Sequence, residues 1–208
     1  YNFIFRILEA VALMTVLARQ GEKINLQIAL WAGGVGQGVL AVYQFLTQHV
    51  WASKWLGMAS QEAYNLGPSV IEFADQRWLR AYGSFGSPNS LGIYLAILFV
   101  LGLVLYLKTE SSRSKILISV GQLFVLSGLL LSFSRAAWLA TIIGILCLLA
   151  LVFFKQRQWL YGLGKQIIFS VVVVIFWLII FYILFIARFN LNNRFEVKSI
   201  SERKDQYV

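Results

Sequence analysis

The chain has 208 residues, 59% of them hydrophobic and 13% charged, with a mean hydropathy of +0.73. An average soluble domain is about one quarter charged, so this composition excludes a disordered or nucleic-acid-coating protein, and the net charge of +9 is to be read against membrane lipids. A single cysteine, Cys147, and a single histidine, His49, leave no intramolecular disulfide, no Cys/His zinc cluster and no Cys-His catalysis within the chain; no cofactor or metal is expected.

Tyr1 opens inside an apolar run, with neither an initiator Met nor a signal-peptide n-region, and the chain therefore reads as a fragment. Apolar length predicts an all-α fold, a polytopic membrane helical bundle forming a single domain over residues 1–208. About six transmembrane helices are expected, at 3–18, 24–46, 90–107, 116–133, 136–154 and 166–187. Arg6 and Glu9 in the first span are three residues apart on one face, which predicts a mutual pair turned toward the bundle. In the second span, Gly33, Gly34, Gly36 and Gly38 do not follow a G-x-G-x-x-G order, and no strand precedes them. Gly34 and Gly38 instead form a G-x-x-x-G spacing that lets two helix backbones approach.

The loop 47–89 carries Pro68 before Ser69-Val70-Ile71-Glu72, a capping-box pattern. It predicts a short interfacial helix with Val70, Ile71, Phe73, Ala74 and Trp78 on its apolar side, while Trp51, Trp55 and Tyr64 suit an interfacial belt. Such a helix is either a lid on the bundle or an element that positions a substrate.

From Ile116 to Phe154 the chain is nearly unbroken apolar sequence over 39 residues. As one helix it would extend about 58 Å, far beyond a hydrocarbon core of roughly 30 Å, so it must turn back on itself. Its only polar break is Ser132-Phe133-Ser134-Arg135, which puts Arg135 at a membrane face.

Alternation of spans groups loops 19–23, 108–115 and 155–165 on one side. They hold Arg19, Lys23, Lys108, Arg113, Lys115, Lys155, Arg157 and Lys165 against Glu22 and Glu110, which marks that side as cytoplasmic. Segments 47–89, 134–135 and 188–208 are then outside. Sidedness alone does not ask for the basic residues there. Arg80 precedes a turn-forming stretch leading into the third span, and Arg135 sits at the deduced helix reversal. An arginine so near hydrocarbon either snorkels and binds loop carbonyls, or pairs its planar fork with a phosphate or diphosphate.

The stretch Arg80-Ala81-Tyr82-Gly83-Ser84-Phe85-Gly86-Ser87-Pro88-Asn89 resembles the R-x-x-G-x-F-x-x-P-N signature of the O-antigen ligase family. Leu131-Ser132-Phe133-Ser134-Arg135-Ala136-Ala137-Trp138 is similar to that family's S-R-[AG]-A element at a helix hairpin, and Ser199-Ile200-Ser201-Glu202-Arg203 to the helix that begins its large periplasmic loop, here 188–208. The resemblance implies a multi-pass, metal-independent glycosyltransferase of the cytoplasmic (inner) membrane, acting in polysaccharide assembly such as lipopolysaccharide biosynthesis. Its donor would be a lipid-linked glycan on undecaprenyl diphosphate, and its acceptor a hydroxyl of lipid A-core, of another glycan or of a protein. By position, Arg80 and Arg135 would contact the donor diphosphate as catalytic residues. Gly83, Pro88 and Asn89 would shape the turn, Gly83, Asn89 and Ser134 would belong to the substrate-binding element, and Arg203 would be a further phosphate or glycan contact. The family's acceptor-activating histidine lies later in the periplasmic loop, and the chain stops at Val208 before reaching it; His49 lies at the end of another span and does not correspond to it.

Two readings from other classes stand beside this one. A transporter or flippase for an anionic lipid-linked substrate predicts ionisable residues at mid-membrane or broken helices around a central site. A noncatalytic scaffold of polysaccharide assembly predicts partner binding without transfer.

Overall fold

A computed structural model describes residues 26–65, 67–73, 76–155 and 157–189; the predicted first span, with Arg6 and Glu9, lies outside them. The described chain is mostly helical. Its elements are α1 (Leu26–Thr47), two short hairpins β1 (His49–Val50) with β2 (Gln61–Glu62) and β3 (Val70–Phe73) with β4 (Gln76–Leu79), then α2 (Pro88–Lys108), α3 (Ser112–Leu131), α4 (Arg135–Lys155), α5 (Leu160–Ile180) and α6 (Tyr182–Phe189). Among the described residues five helical segments are long and apolar enough to cross a membrane, ending with a segment that runs from Arg157 to Ile180. The chain is thus a multi-pass membrane protein.

Helix boundaries follow local chemistry. Ser87 caps α2, its Oγ accepting from Ser90 N at 3.2 Å, and Pro88 occupies the first turn, where its missing N–H costs nothing. The 39-residue apolar run folds back as expected: α3 ends at Leu131, three residues turn, and α4 starts at Arg135. Phe133 makes that turn possible by adopting a left-handed backbone, φ +48°, a conformation held by its complete burial against Phe45 and Phe185.

Two helices form the centre of the bundle. Half of the most apolar window of α2 and of α3 is buried, against 17% for α1 and 22% for α4. The G-x-x-x-G spacing does let α1 approach its neighbours, and each glycine serves a different one. A Cβ on Gly34 would strike the Leu98 side chain of α2, whereas one on Gly38 would strike the Phe124 carbonyl of α3. Without a hydrophobic driving force between helices in lipid, such close backbone packing and interhelical hydrogen bonds hold the bundle. Gln122 Nε2 donates to Phe99 O at 2.8 Å, and Trp177 Nε1 to Ser127 Oγ at 2.7 Å.

Three expectations need correction. Between Thr47 and Pro88 the described residues contain no helix. The stretch expected to be an interfacial helix is the antiparallel hairpin β3–β4, with Ile71 opposite Trp78 and Glu72 opposite Arg77. Val70, Ile71, Phe73 and Trp78 are β-branched or aromatic and favour a pleated surface, and the Glu72 carboxylate that could have closed a capping box pairs across the strands with Arg77 at 3.1 Å. An all-α description therefore holds for the bundle but not for this loop.

The last span is also shifted. Apolar length places it at 166–187 after a loop at 155–165, whereas helix begins by Leu160, preceded by a single 3-10 turn at Arg157–Trp159. Lys165 is accommodated within the helix by lying over the Tyr161 ring, 4.4 Å from its centroid, so a charge near the span's start does not end it.

Finally, the span stops at Ile180. Phe181 leaves helical geometry, with φ −118° and ψ 29°, and α6 follows as a separate short helix packed on β3. Arg188, assigned to a loop from sequence, sits in its last turn.

Candidate functional site

The site is built on the turn between α3 and α4. Arg80 follows β4, is 6% exposed, and crosses to this turn: its Nε donates to Ser132 O and one terminal nitrogen to Asn89 Oδ1, both at 2.8 Å. The backbone follows the side chain, because Ala81 N donates to Leu131 O at 3.1 Å. From the other side, Arg188 Nε donates to Phe133 O at 3.0 Å. Two guanidinium groups thus hold successive carbonyls of a turn whose next-but-one residue is a third arginine, the half-buried Arg135.

Two helix N-termini open onto the same place. Ser134 precedes α4 and its Oγ accepts from Ala137 N at 3.4 Å, a weak N-cap; the residue itself is buried. Gly92, one turn into α2, is what allows α2 to start beside it: a Cβ there would lie 2.8 Å from Ser132 Oγ and 2.9 Å from Ser134 Cβ. Each helix N-terminus carries roughly half a positive charge from its unsatisfied N–H groups. The partial charges of α2 and α4 therefore add to those of the arginines.

The sequence-selected residues fall into three groups. Arg80, Asn89, Ser134 and Arg135 come together at this turn. Gly83 serves the adjoining loop: its φ of +58° suits glycine, and a Cβ would lie 2.6 Å from Gln37 Oε1. Arg203 and the stretch around Ser199 lie outside the described residues.

Sequence reasoning missed the groups that hold the loop. Gln37 and Gln44 are seven residues apart on one face of α1. Gln44, fully buried, accepts from Tyr82 N at 3.2 Å and Gly83 N at 2.8 Å, and donates to Gly83 O at 2.9 Å. Gln37 bonds Ser84 twice, through N at 2.9 Å and Oγ at 2.8 Å. Gln48, just past the helix, accepts from Leu79 N at 2.6 Å. The available signal was uncharged polar residues repeating at i and i+7 within an apolar helix, where each needs a partner. Arg188 was missed for a different reason, since it was grouped with a loop.

Apart from this turn, a concavity of about 480 Å³ lies between the two hairpins and includes His49, Glu62, Arg77 and Trp78 in its walls. Among the described residues no cluster of three His, Cys, Asp or Glu could hold a metal ion. No family model matches the chain, and neither curated proteins nor solved structures give a significant match.

Proposed function

We propose that this protein is a membrane glycosyltransferase that moves a glycan from a polyprenyl diphosphate to an acceptor hydroxyl at the outer face of the cytoplasmic membrane. The observation that carries the reading is the convergence on residues 132–135 of Arg80, Arg135 and Arg188 with the N-termini of α2 and α4. A lipid diphosphate is an anion whose tail belongs in hydrocarbon and whose head belongs at the interface. A cationic rim at the end of an apolar bundle is complementary to both parts.

In this mechanism the acceptor hydroxyl attacks the anomeric carbon as the bond from that carbon to the diphosphate oxygen breaks. The bonding electrons leave with the diphosphate, and the hydroxyl proton passes to a general base. Charge grows on the leaving oxygen, where oriented guanidinium groups and helix N-termini stabilise it more than they stabilise the ground state. Arg135 is assigned the donor contact. Arg80 has a double part: its hydrogen bonds to Ser132 and Asn89 fix the turn on which Arg135 stands, and its buried charge raises the potential at the rim. The ordered motifs at 80–89 and 131–138, which resemble the O-antigen ligase family, agree with this assignment.

The test is glycan transfer in membranes carrying Arg135→Ala. Loss of about 100-fold or more at unchanged protein level is expected, the magnitude typical of removing one oriented transition-state donor. Near-normal transfer would remove Arg135 from the mechanism, and translocation of the lipid without transfer would favour the transporter reading.

A further inference from the structure

The concavity between the hairpins is separate from the arginine turn yet tied to it. Gln48 binds the backbone of Leu79 at both its N–H and its carbonyl, so Trp78 in the cleft wall and Arg80 in the turn are held by one short stretch. They are two residues apart, about 7 Å along an extended chain. Arg77 links β4 to the turn after β2, its Nη1 donating to Asn65 O at 3.3 Å while its Nε faces Glu72 of its own hairpin at 3.1 Å. The cleft therefore lies between two hairpins tied at this point.

Its chemistry is specific. The largely exposed Tyr64 and the part of Trp78 not packed on Phe45 and Phe181 supply aromatic surface, while Glu62, Gln76, Arg77 and His49 supply planar groups that donate and accept. His49 Nδ1 stands 3.7 Å from Glu62 Oε1, an ion pair when the imidazole is protonated. A carboxylate in the wall disfavours a plain anion, the polar groups disfavour an acyl chain, and the volume suits a ring or two. A pyranose offers the complement: a C–H face for an aromatic ring, and hydroxyls that need both donors and acceptors around the edge.

We propose that this cleft is a carbohydrate-binding site that holds the sugar of the acceptor next to the donor headgroup. As an acceptor site it rests on the function proposed above; as a carbohydrate site it stands on the cleft alone.

The experiment uses the chain in lipid nanodiscs, free of sugar-based detergent, and titrates it with three tetrasaccharides: maltotetraose, tetra-N-acetylchitotetraose and tetragalacturonate. Saturable binding of at least one is expected, with a Kd of about 1 mM or tighter. Tyr64→Ala and Glu62→Gln, both at exposed positions, are each expected to weaken it about fivefold or more at unchanged unfolding temperature. Absence of saturable binding by all three, or affinity unchanged in both variants, overturns the proposal. Farnesyl diphosphate binding is read on the same preparations. Saccharide binding without diphosphate binding supports the cleft and removes the donor reading, whereas the reverse removes the cleft alone.

Discussion

Arg80 and Ser132, fifty-two positions apart in the chain, are joined by a buried hydrogen bond from guanidinium Nε to backbone carbonyl, 2.8 Å long. It fastens the loop after β4 to the helix reversal that carries Arg135. Replacing Arg80 with Ala leaves Ser132 O and Asn89 Oδ1 without this donor, and a stability loss of about 3 kcal/mol is expected, in the range of charged hydrogen bonds. Arg80→Lys retains charge but not the fork and should recover less than half of it. Denaturant unfolding of the purified variants checks both, and wild-type stability in Arg80→Ala would show that the tie contributes nothing.

Gln44 is the main anchor of the loop 82–84. Gln44→Leu keeps the side-chain volume close but strands two amide N–H groups and a carbonyl in a buried place. A loss of about 2 to 4 kcal/mol is expected from the desolvation penalty of those groups. Gln37→Leu, at a partly exposed position, should cost about 1 kcal/mol. Equal costs measured by unfolding would contradict this ranking.

The glycines of α1 separate into tight and open positions. A Cβ on Gly38 would press on the Phe124 carbonyl and lie 2.9 Å from Val125 N, and backbone cannot yield cheaply. Gly38→Ala is expected to destabilise by about 1 to 3 kcal/mol. Gly36 has nothing within 4 Å of that position, and Gly36→Ala should be neutral or stabilising by up to about 1 kcal/mol through helix propensity. Thermal unfolding of the two variants in parallel reads the difference.

Glu72 and Arg77 offer a check on the hairpin. Facing each other across β3–β4, they should show a coupling of about 0.5 kcal/mol in a double-mutant cycle on stability. On a helix, residues five apart do not meet, so zero coupling would speak against the strand pairing.

The spans were legible because membrane insertion writes itself into composition: a run of apolar residues from Ile116 to Phe154 can only be two helices, and Ser132 to Arg135 is the one place they can part. The hairpin was not legible for the opposite reason. Pro68, Ser69 and Glu72 satisfy a helix-start pattern, and four β-branched or aromatic residues satisfy a strand pattern; the burial of Ile71 and the packing of α6 on β3, which come from distant segments, favour the strand. The arginines at 80 and 135 stood out as costly charges, but Arg188 and the glutamines did not. Their importance comes from carbonyls and amides that reach them from segments dozens of residues away.

The proposed function requires the turn at 132–135 to bind a lipid diphosphate. Binding of farnesyl diphosphate to the wild-type chain and to Arg135→Ala, each in nanodiscs, tests it most directly. Saturable binding that weakens about tenfold or more in the variant, at unchanged unfolding temperature, is predicted for the loss of one guanidinium–phosphate contact. No binding, or equal affinity in the two proteins, would contradict it.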